Sequence, residues 1–310
     1  MRIIFFGTPD FAVPSLKILI DEGRDVVAVV TQPDRLKGRG HVLSAPPVKE
    51  FALSLGIPVL QPDRIRTAEF YQELCSLRPE VIAVVAYGRI LPAGILDLPP
   101  LGCINVHGSL LPKYRGAAPV QWSVINDDPR TGITTMLMNE GLDTGDILLQ
   151  EETLINDSDT TQSLSIRLSE IGASLLARTL DGLSDGTVSP VPQKGDPSFA
   201  PPLKKEDGRI DWAWPARRIF NLIRGTFPWP GAYGLLNGER IVILRASVLS
   251  HEVRGAAGTI TVSAEGGLLV ETGDGLLSVH ELKPEGRKVM SSSDFVNGSR
   301  LRAGMCFDAL

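Results

Sequence analysis

Four short apolar runs, rich in β-branched residues, constrain the fold of this chain more than any other feature. They are Arg2 to Gly7, Asp25 to Thr31, Glu80 to Ala86 and Gly102 to Val106. Their apolar residues are continuous, whereas a strand with one face in water would alternate apolar and polar side chains. The runs are therefore predicted to be strands of a parallel sheet, buried on both faces.

Helical patterns separate these strands, at Phe11 to Glu22, Pro46 to Leu55, Thr67 to Leu77 and Ala117 to Asn126. The alternation of strand and helix predicts an α/β fold with a Rossmann-like, doubly wound, mostly parallel sheet. Residues 131–139 and 146–152 are predicted to be later strands. The apolar spacing over Thr160 to Leu180 predicts a closing amphipathic helix.

The composition changes at residues 186–203, which are rich in proline, glycine and serine and have no helical or strand period. This change predicts a first domain over residues 1–189, a linker over 190–205 and a second domain over 206–310. Turn signals at Asn237-Gly238, Gly266-Gly267 and residues 273–275 separate short strands in the second domain. A small β-barrel or sandwich is predicted there.

The composition excludes several classes of protein. The 310 residues are 43% hydrophobic and 22% charged, as in an ordinary globular protein. No apolar stretch approaches the roughly 20 residues that cross a membrane, and no signal-peptide cleavage site follows the N-terminus, so a cytoplasmic location is expected. The net charge of -5 argues against binding nucleic acid by bulk positive charge, but it allows a local basic patch.

Cofactor and metal motifs are also missing. The three cysteines have no CxxC spacing, which indicates neither a disulfide framework nor a zinc site. The first strand ends in FFGTPDF, which has one glycine, Gly7, where a dinucleotide fingerprint has three. A nicotinamide dehydrogenase is therefore not indicated.

Polar side chains end the fourth apolar run, in the sequence NVHGSLLPKYRGAAPVQW. Asn105 and His107 are two residues apart on a strand and should face the same cleft, where open α/β sheets bind ligands. Asp143, in the Gly-flanked GLDTGDIL loop, could reach that cleft; Asp146 is the alternative carboxylate. An amide that donates to an oxyanion, an imidazole that moves a proton and a carboxylate that orients the imidazole suggest acyl transfer.

Two further segments suggest ligand contacts. Leu110, Leu111 and Pro112 form an apolar stretch beside the polar cleft, which would suit a flat heteroaromatic ligand. The loop DRLKGRGH, residues 34–41, combines basic side chains with two glycines after a parallel strand. Such a loop at the rim of the cleft could contact a phosphate-bearing substrate.

The segments FGTPDFAVPSL, TQPDRLKGRG, VVAYGRILP, NVHGSLLPKYRGAAPVQW and GLDTGDIL, in this order, closely resemble the methionyl-tRNA formyltransferases. The resemblance covers the whole chain. The central block is shared with other folate-dependent formyltransferases, so it indicates the reaction better than the acceptor. The GAAPVQ continuation, the basic loop and the C-terminal segments IDW (210–212) and FPWPGAY (227–233) favour the tRNA enzymes.

The resemblance implies transfer of a formyl group from 10-formyltetrahydrofolate to the α-amine of methionyl-initiator tRNA, without a metal. It assigns Asn105 and His107 to oxyanion stabilisation and Asp143 to positioning His107. It also implies that Ser109, Leu110, Leu111 and Pro112 line the folate site, and that Arg35, Lys37 and Arg39 contact the acceptor end of the tRNA. An OB-like C-terminal domain would hold the tRNA body. No membrane and no obligate protein partner are implied.

Two alternatives stay open at this point. A folate-dependent formyltransferase acting on a UDP-amino sugar would share Asn105, His107 and Asp143, although such enzymes often carry a fused dehydrogenase. A noncatalytic tRNA-binding or folate-binding module would not need the three residues to be aligned.

Overall fold

The computed structural model describes residues 1–37, 42–249, 255–299, 301 and 304–309. Its strands are β1 Arg2–Gly7, β2 Asp25–Val30, β3 Arg35–Lys37, β4 Val42–Ser44, β5 Val59–Leu60, β6 Val81–Val85, β7 Cys103–His107, β8 Arg130–Leu137, β9 Ile147–Leu154, β10 Ala232–Leu236, β11 Glu239–Leu249, β12 Ile260–Val262, β13 Leu268–Glu271, β14 Leu276–Pro284 and β15 Met290–Ser291.

The α-helices are α1 Val13–Asp21, α2 Pro47–Ser54, α3 Ala68–Ser76, α4 Ala93–Leu96, α5 Pro119–Ile125, α6 Thr161–Asp185, α7 Ala216–Gly225 and α8 Ser292–Gly298, and 3₁₀ turns occur at Asp10–Ala12 and Glu206–Gly208. The helices begin where the sequence supplies a cap or a proline. For example, the Thr67 side chain accepts a hydrogen bond from the Phe70 amide at the start of α3. Prolines occupy the first turns of α1 and α2.

Two compact units divide the chain. Unit 1 comprises Met1–Pro119, Arg130–Leu154 and Ser165–Pro201. Unit 2 comprises Val120–Pro129, Ile155–Leu164 and Pro202–Leu310. Two short segments that precede residue 189 therefore belong to the same unit as the C-terminal residues, although they are distant from them in sequence.

Unit 1 is built on a seven-stranded sheet in the order β5-β2-β1-β6-β7-β8-β9. The first five strands of this order pair in parallel, and β8 and β9 are added antiparallel. The α/β fold with a doubly wound, mostly parallel sheet is thus confirmed. Ile3 to Phe6 and Val81 to Ala83 are fully buried, as their continuous apolar character predicted.

The chain order reverses between β1 and β6, so the carboxyl ends of β1, β6 and β7 lie at the same edge of the sheet. Ligands of open α/β sheets bind at this kind of edge, outside the carboxyl ends of the strands.

The basic segment after β2 is more ordered than the predicted loop, because part of it forms a two-stranded hairpin. Strand β3 pairs antiparallel with β4, so that Arg35 lies opposite Ser44. Behind the hairpin, Lys49 Nζ lies 2.8 Å from Asp34 and Gln61 donates to Asp34 Oδ1 at 2.8 Å. These contacts, chiefly the one with Lys49, hold the pKa of Asp34 below its ordinary value.

Unit 2 contains an antiparallel half-barrel in the order β10-β11-β14-β13-β12, with β15 paired to β14. Asn237 and Gly238, both at positive φ, form the two-residue turn between β10 and β11, as the Asn-Gly signal predicted. Inside the half-barrel, the Trp212 and Phe307 rings stack at 4.6 Å. The predicted C-terminal β-barrel class is therefore confirmed.

No helix within the described ranges is both long enough and apolar enough to cross a membrane.

Candidate active site

Strand β7 presents Asn105 and His107 on the same face, because side chains two residues apart on a strand point the same way. Val106, between them, faces α6, where a Cβ on Gly172 would approach it to 2.9 Å. His107 is 5% exposed. Asn105 is half-buried, and its side chain makes no hydrogen bond with the described part of the chain, so the amide is available to a ligand.

The two ring nitrogens of His107 have different partners. Nε2 lies 2.9 Å from the carbonyl oxygen of Tyr114, and a carbonyl only accepts, so Nε2 carries a proton. Nδ1 lies 3.7 Å from Asp143 Oδ2. The Tyr114 carbonyl therefore fixes the tautomer of the neutral ring, leaving a basic nitrogen beside a carboxylate that would stabilise the imidazolium.

The loop between β8 and β9 carries Asp143 at φ +50, a left-handed conformation that aspartate tolerates better than most residues. Asp143 Oδ2 accepts a hydrogen bond of 2.7 Å from the Gly116 amide. Glycine is required at 145, where a Cβ would lie 1.8 Å from the Leu137 carbonyl oxygen. The Asp146 carboxylate makes no ion pair or hydrogen bond with described residues, so Asp143 is the carboxylate that reaches His107.

Tyr114 and Gly116 were not predicted as site residues, although both belong to the KYRG segment singled out in the sequence. Tyr114 has φ +61 and Gly116 has φ +124, and a Cβ at 116 would lie 2.6 Å from the Ala200 carbonyl oxygen. The glycine that directly follows Tyr114 and Arg115 was the available signal. These two residues give His107 and Asp143 their backbone partners.

The segment Ser109 to Pro112 is held in place by a network that the sequence did not predict. Thr134 Oγ1 donates to the Ser109 carbonyl at 2.7 Å and accepts from the Leu111 amide at 3.0 Å. Gln150 Nε2 donates to the Leu111 carbonyl at 2.9 Å. Ser109 and Leu111 are buried, whereas Leu110 and Pro112 are half-buried and can contribute apolar surface to a ligand.

A cavity of about 650 Å³ lies elsewhere in unit 1 and is lined by Ile65 to Ala68, Tyr71, Ile90 to Ile95 and Glu140. None of the predicted site residues that the structure describes lines it. One lining residue, Glu140, belongs to the loop that carries Asp143.

The predicted phosphate-binding residues are only partly described. The exposed Arg35 guanidinium donates to Gln32 Oε1. The backbone of Lys37 pairs with Val42 in the hairpin. Arg39 lies outside the described residues. The structure therefore leaves the phosphate-binding role of this hairpin as a hypothesis.

Unit 2 carries a cluster of cations around one tyrosine. The Arg240 guanidinium lies 3.9 Å from the centre of the Tyr233 ring, and that of Arg209 lies 5.9 Å from it. Lys283 is exposed on β14, opposite Val242. Neither arginine forms an ion pair within the described residues, which leaves positive charge available to an anion. No group of three potential metal ligands occurs within the described ranges.

Comparisons with known proteins identify relatives of this chain. The family models "Formyl transferase" and "Formyl transferase, C-terminal domain" match residues 1–180 and 202–300. A methionyl-tRNA formyltransferase of Thermodesulfovibrio yellowstonii is 52% identical over 303 residues, which are 98% of this chain and 97% of that protein.

Two solved structures share the fold at 19% identity. One is a methionyl-tRNA formyltransferase from Clostridium thermocellum, with a TM-score of 0.59 over 81% of this chain and 95% of that chain. The other is an N-formyltransferase from Helicobacter canadensis in complex with folinic acid and dTDP-3-aminofucose, with a TM-score of 0.69 over 90% of this chain and 98% of that chain. The fold alone therefore does not identify the acceptor.

Proposed function

The chain belongs to the methionyl-tRNA formyltransferase family, and from this premise we propose that it transfers the formyl group of 10-formyltetrahydrofolate to the α-amine of methionyl-initiator tRNA. The observation that carries the proposal is the set of three groups at the end of β7. They are the half-buried Asn105 amide, the His107 imidazole and the Asp143 carboxylate 3.7 Å from it.

The reaction forms a bond between the amine nitrogen and the formyl carbon and breaks the bond from that carbon to the folate nitrogen. Negative charge develops on the formyl oxygen as the amine attacks. Asn105 donates a hydrogen bond to this oxygen, and the His107 ring adds positive charge once Nδ1 has taken up a proton, so both act mainly in the transition state.

A proton must leave the attacking amine and reach the departing folate nitrogen. The neutral His107 ring holds its proton on Nε2, against the Tyr114 carbonyl, and leaves Nδ1 free to accept one. Asp143 stabilises the imidazolium that results and holds the ring in orientation. Asp143 is itself held by the Gly116 amide, which keeps its Oδ2 directed towards the ring.

Leu110 and Pro112 would contact the flat ring system of the folate, and Ser109 and Leu111 would shape that wall from behind. Two features support this assignment: the wall is apolar, and its backbone is held by hydrogen bonds from Thr134 and Gln150. A preformed wall lowers the ordering cost of binding.

The tRNA would be contacted in two places. Arg35 and Lys37 of β3, together with Arg39, would contact phosphates of the acceptor end. In unit 2, the cations around Tyr233 would contact the phosphate backbone of the tRNA body, since they have no carboxylate partner among the described residues. Contacts of this kind would overcome the net negative charge of the chain locally.

Acceptor choice is the direct test. The protein is incubated with 10-formyltetrahydrofolate and either methionyl-initiator tRNA or a UDP-amino sugar, and kcat/KM is measured for each acceptor. The proposal predicts formylation of the tRNA, with a much lower specificity constant for the sugar nucleotide. Preference for the sugar nucleotide would replace the proposal with a second candidate function, formylation of a nucleotide-linked amino sugar. The fold relative from Helicobacter canadensis was solved with such a compound. Turnover of neither acceptor would contradict both.

A further inference from the structure

Residues 191–200, within the segment predicted to be a linker, contact two loops of the candidate site. One is the loop after β7 that carries Tyr114 to Gly116, and the other is the loop between β8 and β9 that carries Asp143. Val191 exchanges two backbone hydrogen bonds with Ile147, of 2.8 and 2.9 Å. Further along, the Arg115 amide donates to the Ser198 carbonyl and the Ala200 amide donates to the Arg115 carbonyl, each at 2.8 Å. We call residues 191–200 the strap. It belongs to unit 1, as both loops do.

Within the strap, the Gln193 side chain joins the two loops directly. Its Nε2 donates to the carbonyl oxygens of Asp143 and Gly145, each at 2.8 Å. Its Oε1 accepts from Arg115 Nε and from an Arg115 terminal nitrogen, at 3.1 and 2.7 Å. The Gln193 nitrogen thus donates to two carbonyls, and its oxygen accepts from two N–H groups. A primary amide has both donors and an acceptor, so one side chain can bond to both loops at once.

The contact at the Asp143 carbonyl matters because of the backbone there. Asp143 has φ +50, a conformation that residues other than glycine keep only when their surroundings hold them in it. Its carboxylate must also reach both the Gly116 amide and the His107 ring. Gln193 holds the Asp143 carbonyl from one side while Gly116 holds the carboxylate from the other.

We propose that Gln193 is a positioning residue, which keeps the Asp143 carboxylate aligned with His107 by tying residues 143–145 to Arg115. This inference rests on the proposed function for the chemistry that is affected. The contacts themselves do not depend on the identity of the acceptor. Gln193 touches neither His107 nor the reacting atoms and acts through the backbone of Asp143.

Two substitutions separate this role from a simple packing role. Gln193→Ala removes all four hydrogen bonds. Gln193→Glu keeps the acceptor for Arg115 but replaces the donor to Asp143 and Gly145 with a carboxylate that repels their carbonyls. Lys194→Ala is the matched control, because Lys194 is exposed in the same strap and makes no hydrogen bond with described residues.

Both Gln193 variants are expected to lower kcat by roughly 10- to 100-fold, as a small misplacement of a catalytic group does. KM for folate and for tRNA should stay close to wild type, since neither binding surface is changed. Lys194→Ala should match the wild type. A wild-type kcat in Gln193→Glu would overturn the inference, because the bond to Arg115 alone would then suffice. A loss confined to KM would also overturn it.

Amide hydrogen exchange gives a readout that does not depend on turnover. Peptides covering residues 139–146 should exchange faster in both Gln193 variants than in the wild type and in Lys194→Ala. Unchanged exchange would contradict the positioning role even if activity fell. If the wild type itself formylates no acceptor, the proposed function fails, and the exchange experiment still tests the tie between the two loops.

Discussion

At the scale of single residues, the candidate site depends on which atom of His107 faces which partner. The Tyr114 carbonyl occupies Nε2, so the nitrogen that can gain a proton is the one 3.7 Å from Asp143. That distance is longer than a hydrogen bond, so a small movement of the Asp143 loop decides whether the carboxylate and the ring are paired. Residues that hold the loop therefore affect the chemistry as well as those that carry it.

The assignment of the carboxylate can be tested by comparing two neighbouring aspartates. Asp143→Asn should lower kcat by on the order of 100-fold, because an amide neither stabilises the imidazolium nor assists the proton transfer. Asp146→Asn is the matched control and should keep most of the activity. The measurement is steady-state formylation of methionyl-tRNA at saturating folate. Loss of activity in Asp146→Asn with retention in Asp143→Asn would reverse the assignment.

At the residue scale, the sequence could predict polar groups at the end of a strand but not the partners that fix them. Asn105 and His107 follow from the strand period and from the place where β7 ends. The bonds that hold the site join residues far apart in sequence, such as Thr134 to Leu111 across 23 positions and Gln193 to Arg115 across 78. No local pattern records such pairs, because they depend on how the loops pack in the folded chain.

At the scale of elements, the β3–β4 hairpin anchors the basic segment that follows β2. The pairing of β3 with β4 and the Asp34–Lys49 ion pair hold both ends of the segment that contains Arg39. The pattern of glycines and charges predicted a loop there. Three-residue strands are too short for an alternating pattern to distinguish from a loop, and for the same reason the two residues of β5 were not predicted.

The role of this hairpin is tested with Arg39→Ala. The loss of one charge-assisted phosphate contact should lower kcat/KM for methionyl-tRNA by about 10- to 150-fold, corresponding to roughly 1.5–3 kcal/mol, and leave folate binding unchanged. The wild-type reaction should weaken as salt rises, and the variant should show a shallower slope. Kinetics at two salt concentrations and folate binding by fluorescence are compared with Lys17→Ala, an exposed control on α1.

Equal losses for both ligands, or an unchanged dependence on salt, would contradict a phosphate contact by Arg39. The residue would then serve the fold or the folate site.

Helix α7 of unit 2 makes an ionic network with a defined pH dependence. Arg217 contacts Asp127 at 2.7 Å and Asp157 at 2.6 Å, and its hydrogen bonds lower the pKa of both carboxyl groups. A lowered folded-state pKa contributes stability above the unfolded pKa of about 3.9. That stability is lost as the pH falls through the folded values.

Arg217→Met should therefore destabilise unit 2 at pH 7 by about 1 kcal/mol or less, since the groups are partly exposed. The difference from wild type should shrink as the pH falls below about 4. Denaturant unfolding midpoints of the variant and the wild type, at pH 7 and at a pH below about 4, measure this difference. Arg218→Met, which loses contact with the Trp214 ring but no ion pair among described residues, should cost the same at both. If Arg217→Met stays less stable than the wild type by the same amount in acid, the lost stability does not come from the ion pairs.

At the scale of the whole molecule, the architecture of both units was predictable because it depends on repeated patterns. Continuous apolar strands indicate a parallel sheet, and turn signals between short strands indicate the antiparallel half-barrel. The division of the chain was less predictable. Residues 120–129 and 155–164 belong to unit 2 although nothing in their composition separates them from their neighbours. The strap likewise resembles a linker in composition, and its contacts with the rest of unit 1 come from backbone groups, the Gln193 amide and the Ser198 hydroxyl.

The central claim is that the groups at the end of β7 carry formyl transfer to methionyl-tRNA. Single-turnover transfer from 10-formyltetrahydrofolate, with enzyme in excess over methionyl-initiator tRNA, tests it most directly because it isolates chemistry from product release. The wild type should formylate all of the tRNA. Asn105→Ala and His107→Ala should each slow the step by on the order of 100-fold or more while still binding folate. A near wild-type rate in either variant would remove that residue from the reaction, and no product from the wild type would contradict the claim itself.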